Sequence, residues 1–399
     1  MTIDLFALNR LNRRECLGVG LAGAGLWWQS RPFDLFAAEA AGPARHEMLV
    51  RTEKPFNAEP RLERLPEAFI TPVENFFVRN HGTQPTIDAQ AYRLTIEGAV
   101  EQPLTLSLAE LTEKFPRVSV TAAVTCAGNR RIEFGVERNV PGVQWDAGAI
   151  GNAEWSGPRL SAVLKHAGIK AEGKHVWFEG QDQITAHGGS IPFGGSIPLA
   201  TALDDEASTR AILADRMNGH PLTAEHGFPL RSLVPGYIGA RSVKWLSKIT
   251  ISDRPSSNFY LDKTYKLVKE NTPENVAAAP PIYEFLTNSA ICEAKLVAAS
   301  GKYLVKGYAL AGGQRGNRIA EVNLTTDNGQ KWQPAKIVSP VRDFGWVLWS
   351  AELDVPAGTE RISVRVTDSE GVSQPVRSPW NAQGYQYNGW HSVTVKKAV

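Results

Sequence analysis

Chemistry could be concentrated at one cysteine. Val118 to Val124 is an apolar, strand-like run; Thr125-Cys126 ends it, followed by the small-residue turn Ala127-Gly128-Asn129 and two arginines, Arg130-Arg131. A thiolate is a strong soft ligand for a transition metal, and neighbouring cations favour it over the thiol. Two plainer readings stand beside this one. Most isolated cysteines are core residues, and in an exported protein Cys126 could pair with Cys292.

Other polar clusters share the same half of the chain. Phe76-Phe77-Val78-Arg79-Asn80-His81-Gly82 sets an Arg and a His beside aromatics, and Glu225-His226-Gly227-Phe228-Pro229-Leu230-Arg231 repeats the theme. Gly236-Tyr237-Ile238-Gly239-Ala240-Arg241-Ser242-Val243-Lys244-Trp245 is glycine-rich, hydroxyl-bearing and basic. Each alone is an ordinary loop with a solvated charge. Together they offer fixed cations and backbone N–H groups, which suit a phosphate-bearing cofactor and an anionic substrate. A planar guanidinium grips sulfite, sulfate or phosphate through two parallel hydrogen bonds.

Composition narrows the classes. The 399 residues suffice for two or three domains; 43% hydrophobic and 21% charged content is that of a soluble globular protein. A net charge of +2 without a long basic run argues against nucleic acid. The 3 cysteines (Cys16, Cys126, Cys292) are not in C-x-x-C spacing, and the 8 histidines form no H-E-x-x-H pair. No c-type haem, zinc ribbon or thioredoxin-like motif is therefore present.

The elements that must position these residues can be read in outline. Ser107-Leu108-Ala109-Glu110 is a capping box opening a helix that ends at Phe115-Pro116. Ser156-Gly157-Pro158 opens another, with Leu160, Val163 and Leu164 on one face and Gly168 as its stop. His175 to Phe178 reads as a strand, and residues 211–222 read as a hairpin turning at Asn218-Gly219. Short helices scattered among strands argue α+β for residues 41–280. The near-duplicate Gly188-Gly189-Ser190-Ile191-Pro192 and Gly194-Gly195-Ser196-Ile197-Pro198 read as a tight positioning loop, since no G-K-[ST] follows. Residues 269–290 read as a linker. Beyond it, Tyr303–Ala309, Ala320–Thr325, Lys331–Ile337, Trp346–Leu353 and Arg361–Thr367 are short, evenly spaced strands, as in an immunoglobulin-like β-sandwich over residues 281–399.

At the N-terminus, Arg13-Arg14 precede an apolar stretch from Leu17 to Trp28 and a small-x-small pattern, Ala38-Glu39-Ala40. Residues 1–40 are expected to be a twin-arginine export signal, because the apolar stretch is shorter than the roughly 20 residues that span a bilayer. The mature protein is expected to be periplasmic, with no further membrane span.

Residues 50–395 resemble the sulfite oxidase family. The resemblance rests on Lys54-Pro55-Phe56-Asn57-Ala58-Glu59-Pro60, Arg79-Asn80-His81-Gly82, Cys126-Ala127-Gly128-Asn129-Arg130-Arg131 and Gly239-Ala240-Arg241-Ser242-Val243-Lys244-Trp245, in this order. It implies a molybdopterin-binding α+β domain followed by an immunoglobulin-like dimerisation domain, hence a homodimer. It implies that Cys126 ligates molybdenum, one per chain. Phe77, Val78, Arg79, Asn80, His81, Asp182, His226, Arg231, Ser242, Val243 and Lys244 match positions that hold the pterin and its phosphate. Arg79, Arg131, Trp145 and Tyr265 match positions around the substrate. The implied reaction is oxidation of sulfite to sulfate by oxo transfer, with electrons passed to an external acceptor such as a cytochrome c. No His-Pro-Gly-Gly or C-x-x-C-H haem stretch occurs, so the molybdenum part is expected to stand without haem. One position departs from the eukaryotic members: their Trp-Asn-x-Arg-Gly run is Trp380-Asn381-Ala382-Gln383-Gly384 here. A neutral amide lacks the charge and fork of arginine, which bears on substrate choice. The rivals are oxidation of sulfane sulfur, reduction of nitrate or a sulfoxide on the same fold, and a non-catalytic exported binding protein.

Overall fold

The computed structural model describes residues 48–136, 138–186, 188–206 and 211–395. The expected export signal, with Arg13-Arg14 and Cys16, lies outside the described residues.

Local signals build the first half as their chemistry dictates. Ser107 accepts from the Glu110 N–H while the Glu110 carboxylate takes the Ser107 N–H, so both donors at the start of helix Leu108–Lys114 are satisfied. Helix Leu160–Ala167 buries Leu160, Val163 and Leu164 and stops at Gly168, whose φ of +68° few other residues adopt. Around these helices lies a five-stranded sheet in the order Leu104–Ser107, Arg93–Gly98, Leu246–Ser252, His175–Ala186, Gly189–Pro198. Its pairing of Leu246–Ser252 with Arg93–Gly98 is parallel; the other pairings are antiparallel. A second sheet pairs Arg117–Thr125 with Ile150–Pro158 over nine residues and adds Arg216–Met217 and His220–Pro221 at its far side. This mixture is α+β.

Four local expectations need correction. Ser156-Gly157-Pro158 does not open a helix but ends strand Ile150–Pro158, and Arg159 stands at the start of helix Leu160–Ala167. The glycine-rich repeat is a strand, Gly189–Pro198, antiparallel to His175–Ala186. Glycine is needed there because a Cβ on Gly194 would stand 2.4 Å from the Phe178 carbonyl oxygen. The hairpin is shorter than residues 211–222: Asn218 and Gly219, both with positive φ, join only Arg216–Met217 to His220–Pro221. Ile212–Ala214 instead pairs with Arg231–Leu233. The segment read as a linker holds helix Pro273–Ala278, capped by Thr272, and the start of strand Asn288–Val297.

The C-terminal part is a sandwich of two four-stranded sheets. One runs Asn288–Val297, Lys302–Leu310, Val347–Leu353, Lys336–Ile337; the other runs Gln333–Pro334, Ile319–Thr325, Arg361–Asp368, His391–Thr394. The stretch expected as one strand, Lys331–Ile337, is split between them, since Gln333–Pro334 pairs in one sheet and Lys336–Ile337 in the other. Pro334 has no N–H to continue a ladder. Between the sheets lie Val305, Val322, Leu324, Trp349, Ile362, Val364 and Val366.

The sandwich does not hang apart from the first half. One buried cluster joins Leu65, Ala123, Ala127, Ile150 and Tyr265 to Phe285, Tyr308, Leu310, Trp346 and Leu348. Trp346 is wholly buried, stacks on Tyr308 at 5.6 Å and donates to the Phe69 carbonyl at 2.9 Å. Truncating a buried Trp costs about 3–5 kcal/mol. Trp346→Ala should therefore lower the urea midpoint by that equivalent and loosen both halves together, as followed by near-UV and far-UV circular dichroism.

Candidate active site

Strand Arg117–Thr125 delivers Cys126 into the interior, where the Cys126 N–H donates to the Ala149 carbonyl at 2.9 Å. The Cys126 carbonyl accepts from Asn129 N–H at 2.9 Å, and the Gly128 N–H points at Sγ at 3.4 Å. The thiol is 7% exposed and unpaired, as is Cys292, so the disulfide alternative falls. It lines three cavities, two of which share Arg79, Cys126 and Tyr265 in their walls.

The inner cavity offers about 630 Å³ of space, part of it continuous with solvent. Phe77, Arg79, Asn80, His81, Asp182, His226, Arg231, Ser242 and Lys244, all singled out in the sequence, line it. Arg231 donates to the His226 and Ser242 carbonyls at 3.2 and 3.0 Å and lies over the Trp155 ring. Lys244 donates to the Glu225 carbonyl at 2.7 Å and to Asn80 Oδ1, and lies 4.3 Å from the Trp245 ring centre. Arg241 is pinned by two bonds to the Ile282 carbonyl, at 3.0 and 2.7 Å. Burial depresses these cations: Arg231 to about 9, Arg241 to about 10 and Lys244 well below its ordinary range. Burial, aided by Lys244 and Arg231, takes His226 to about 3, so its ring is neutral. Its Nε2 faces the Val73 carbonyl at 3.3 Å; a carbonyl only accepts, so the proton sits on Nε2 and Nδ1 remains an acceptor.

The second cavity reaches solvent beside exposed Pro141, Gly142 and Lys263 and is lined also by Arg131, Tyr260, Asn271, Gln383 and Tyr385. Arg131 donates to the Gly384 and Val143 carbonyls at 2.9 and 3.0 Å, with its guanidinium over the Tyr385 ring. Its side chain lies in a slot of three glycines. A Cβ on Gly128, Gly142 or Gly384 would come within 2.7, 2.4 or 2.9 Å of it. Tyr265, at φ +49°, stacks on Tyr385 at 4.7 Å, and its hydroxyl is 2.7 Å from His81 Nε2. Burial, with the Arg79, Lys244, Arg131 and Arg241 charges, holds His81 well below its usual range, while burial raises the Tyr265 phenol. Gln383 spends its amide on the Lys266 N–H, the Lys263 carbonyl and Asn271 Oδ1 at 3.3, 3.4 and 3.0 Å.

Some expected residues stand elsewhere. Trp145 was expected around the substrate. It is wholly buried, edge-on to Phe77, and lines neither cavity. Val78 and Val243 act through backbone: Val78 exchanges bonds with Ala58, and the Val243 N–H donates to Ser232 Oγ at 2.8 Å. Arg130, expected beside the thiolate, turns away and donates twice to Glu133 and to the Gly389 and Trp390 carbonyls. The sequence reading missed Phe193, Tyr260 and Tyr385, which pack on His81 or Tyr265. Phe193 had a signal, since it joins the two copies of the glycine repeat.

Residues 81–260 match the oxidoreductase molybdopterin binding domain, and residues 279–398 the Mo-co oxidoreductase dimerisation domain. The sulfite oxidase of Gallus gallus is 42% identical over 369 residues, covering 88% of this chain and 79% of that one. The sulfite oxidase of Arabidopsis thaliana is 38% identical over 381 residues, covering 89% and 95%. The crystal structure of the sulfane dehydrogenase SoxCD from Paracoccus pantotrophus is similar with a TM-score of 0.74 and 28% identity, covering 92% and 94%.

The residues present fit a molybdenum–pterin group. No cluster of three or more His, Cys, Asp or Glu among the described residues could hold a metal by itself, so a metal at Cys126 must bring its other ligands. The cations lining the cavity, Arg79, Arg231 and Lys244, outnumber its one lining carboxylate, Asp182, which suits a phosphate. Asp182 Oδ1, buried in the wall, has no partner, so it is an acceptor for a ring N–H.

Burial pushes the Asp182 carboxyl up to about 6 from 3.8, with Lys244 pulling it down. A raised carboxyl binds its proton more tightly in the folded state. The stability this contributes is whole below the ordinary value and lost as pH rises through about 6. Cofactor-free protein should therefore lose on the order of 2 kcal/mol in urea unfolding across that window. Asp182→Asn should flatten the loss; an unchanged slope would assign it to other groups.

Proposed function

Because this chain belongs to the sulfite oxidase family of molybdenum oxidoreductases, we propose that it oxidises sulfite to sulfate at Cys126 and passes the electrons to an external acceptor such as a cytochrome c. The observation that carries this reading is that Arg79, Arg131 and the Cys126 thiol share one solvent-reaching cavity. Such a pocket attracts a small oxyanion and fixes its oxygens through guanidinium forks.

The Cys126 thiolate would hold molybdenum together with the pterin, and the bound group would supply the two-electron oxidation and oxygen transfer. The protein supplies the rest. Phe77, Asn80, Asp182, His226, Arg231, Ser242 and Lys244 would hold the pterin and its phosphate. Arg79 and Arg131 bind and orient sulfite. Arg131 cannot swing, because its slot and two carbonyls lock it. Tyr265 and neutral His81 share one proton across 2.7 Å. When His81 Nε2–H donates to the phenol oxygen, the phenol proton is free for a substrate oxygen; in the other tautomer Tyr265 donates to His81. Tyr385, stacked on Tyr265, keeps water from that proton.

A second reading, oxidation of a sulfane sulfur, is favoured by Gln383. Its neutral amide is consumed by backbone and Asn271, so the wall at that point offers substrate no charge. The non-catalytic binding protein is set aside by the family. Nitrate reduction has a weaker parallel in the nitrate reductase of Hordeum vulgare, 34% identical over 388 residues, of which this chain covers 43%, and nothing in the pocket favours it or sulfoxide reduction over sulfite. The protein would work as a homodimer through residues 279–398.

Two experiments test this reading. Steady-state turnover of the purified holoenzyme with sulfite, thiosulfate and nitrate, against cytochrome c and ferricyanide, should show sulfite preferred. Faster thiosulfate turnover would select the second reading. Cys126→Ser should retain much of its pterin and lose at least about 100-fold in kcat; wild-type rates would refute the ligand. We also propose periplasmic export through Arg13-Arg14. Cell fractionation should find wild type in the periplasm and Arg13→Lys/Arg14→Lys retained inside; unchanged export of the double variant would sink the route.

A further inference from the structure

The turn after Cys126 is held from two sides, and the second side is the C-terminal sandwich. The Ala127 carbonyl accepts from the Gln386 N–H at 2.7 Å. Asn129 Nδ2 donates to the Tyr308 hydroxyl at 3.0 Å, and that hydroxyl donates to the Ala147 carbonyl at 2.9 Å. Asn129 Oδ1 takes the Ala149 N–H at 3.0 Å, the residue whose carbonyl holds the Cys126 N–H. Arg130, wholly buried, reaches Asn288 Oδ1 and the Ser289 and Gly389 carbonyls at 2.8, 3.0 and 2.8 Å. Arg131 ends on the Gly384 carbonyl. Each residue from Ala127 to Arg131 except Gly128 thus has a bond to residue 288 or beyond.

We propose that the sandwich completes the metal site, with Tyr308 and Arg130 as positioning residues that fix the Cys126 thiolate toward the metal. Tyr308 is suited to this. Both hydrogen-bonding functions of its hydroxyl are used, it is fully buried on strand Lys302–Leu310, and Trp346 stacks on its ring. Its hydroxyl ties the turn to Ala147, two residues before the Ala149 contact, so two neighbouring stretches of backbone around the thiol are fixed by one oxygen. Without that oxygen, Asn129 Nδ2 and the Ala147 carbonyl lose a buried partner and the turn is free to shift. A shift of well under 1 Å at a metal ligand changes its orbital overlap with the metal. The role assigned here to a domain otherwise associated with dimerisation lies within one chain.

The inference rests on Cys126 being the metal ligand. Its test uses the purified holoenzyme with molybdenum content measured for each variant. Tyr308→Phe removes one oxygen and keeps the ring. Arg130→Lys keeps the charge and loses the fork. Arg315→Ala is the control, because it removes a contact between the two parts, the 2.6 Å pair with Asp204, that does not touch the turn. The readouts are the thiolate-to-molybdenum charge-transfer absorption, the EPR spectrum of the one-electron-reduced enzyme and kcat. Tyr308→Phe should load molybdenum as fully as Cys126→Ser does, shift absorption and EPR, and lose about 10- to 100-fold in kcat. Arg130→Lys should move the same spectra in the same direction, and Arg315→Ala should match wild type. Spectra of Tyr308→Phe superimposable on wild type would overturn the proposal. So would loss of molybdenum in Tyr308→Phe where Cys126→Ser keeps it, since Tyr308 would then act on the fold. Because the spectra need no sulfite turnover, failure of the substrate reading leaves this test intact. Absence of the thiolate band in wild type would instead remove the ligand on which both stand.

Discussion

Positive charge buried around one enclosed space is the constraint on which the rest of the molecule depends. Arg231 is buried in the cavity wall with half-buried Lys244 beside it, and Arg241, next to the wall residue Ser242, is buried as well. A buried guanidinium is tolerated only when its N–H groups find acceptors and its charge finds a partner. The chain meets the first demand with backbone carbonyls of His226, Ser242, Ile282 and Tyr260. This explains why the lining segments are irregular: carbonyls committed to a ladder could not be turned inward in such numbers. Aromatic rings of Trp155, Trp245, Tyr265 and Tyr283 cover the cation faces. The second demand is met for Lys244 by Asp182 and Glu225, and Arg231 is left to an anionic ligand.

Neighbouring arginines have opposite tasks. Arg131 faces the solvent-reaching cavity and is locked by three glycines from separate segments. Arg130, one residue earlier and at φ +65°, faces the sandwich and joins it to the turn. Neighbouring side chains in this turn point apart, so a single Arg-Arg pair supplies both a cavity-facing cation and a domain bolt. The same economy appears at Glu59, whose buried carboxylate accepts the Asp146 and Gly148 N–H groups, each at 2.9 Å, as well as Arg51. It steadies the stretch that also holds Tyr308.

Gln383 shows how a wall residue can lose charge and keep structure. Its amide ties the C-terminal run to residues 263–271, the segment carrying Tyr265. The position is thereby a structural clamp here, and the positive charge lining the cavity rests on Arg79, Arg131 and exposed Lys263.

The sequence by itself determined what depends on local chemistry. The capping box at Ser107, the Gly168 stop, the Asn218-Gly219 turn and the alternation of Ile362, Val364 and Val366 are set by neighbours a few residues away, and the structure contains each. The family motifs likewise named Arg79, His81, Cys126, His226, Arg231 and Lys244, which share the walls of one cavity or the other. What only the tertiary structure decided is where a side chain points once distant segments meet. Trp145 lies wholly buried edge-on to Phe77 with its Nε1 unpartnered, Arg130 is an interdomain bolt, and the glycine repeat is a strand. Tyr308 and Tyr385 drew no notice in the sequence because their partners, Asn129 and Tyr265, lie more than 100 residues away. Spacing along the chain carries the periodicity of one helix or strand. It carries no record of which face another segment will cover, and that choice is made by packing and by the need to pair every buried charge.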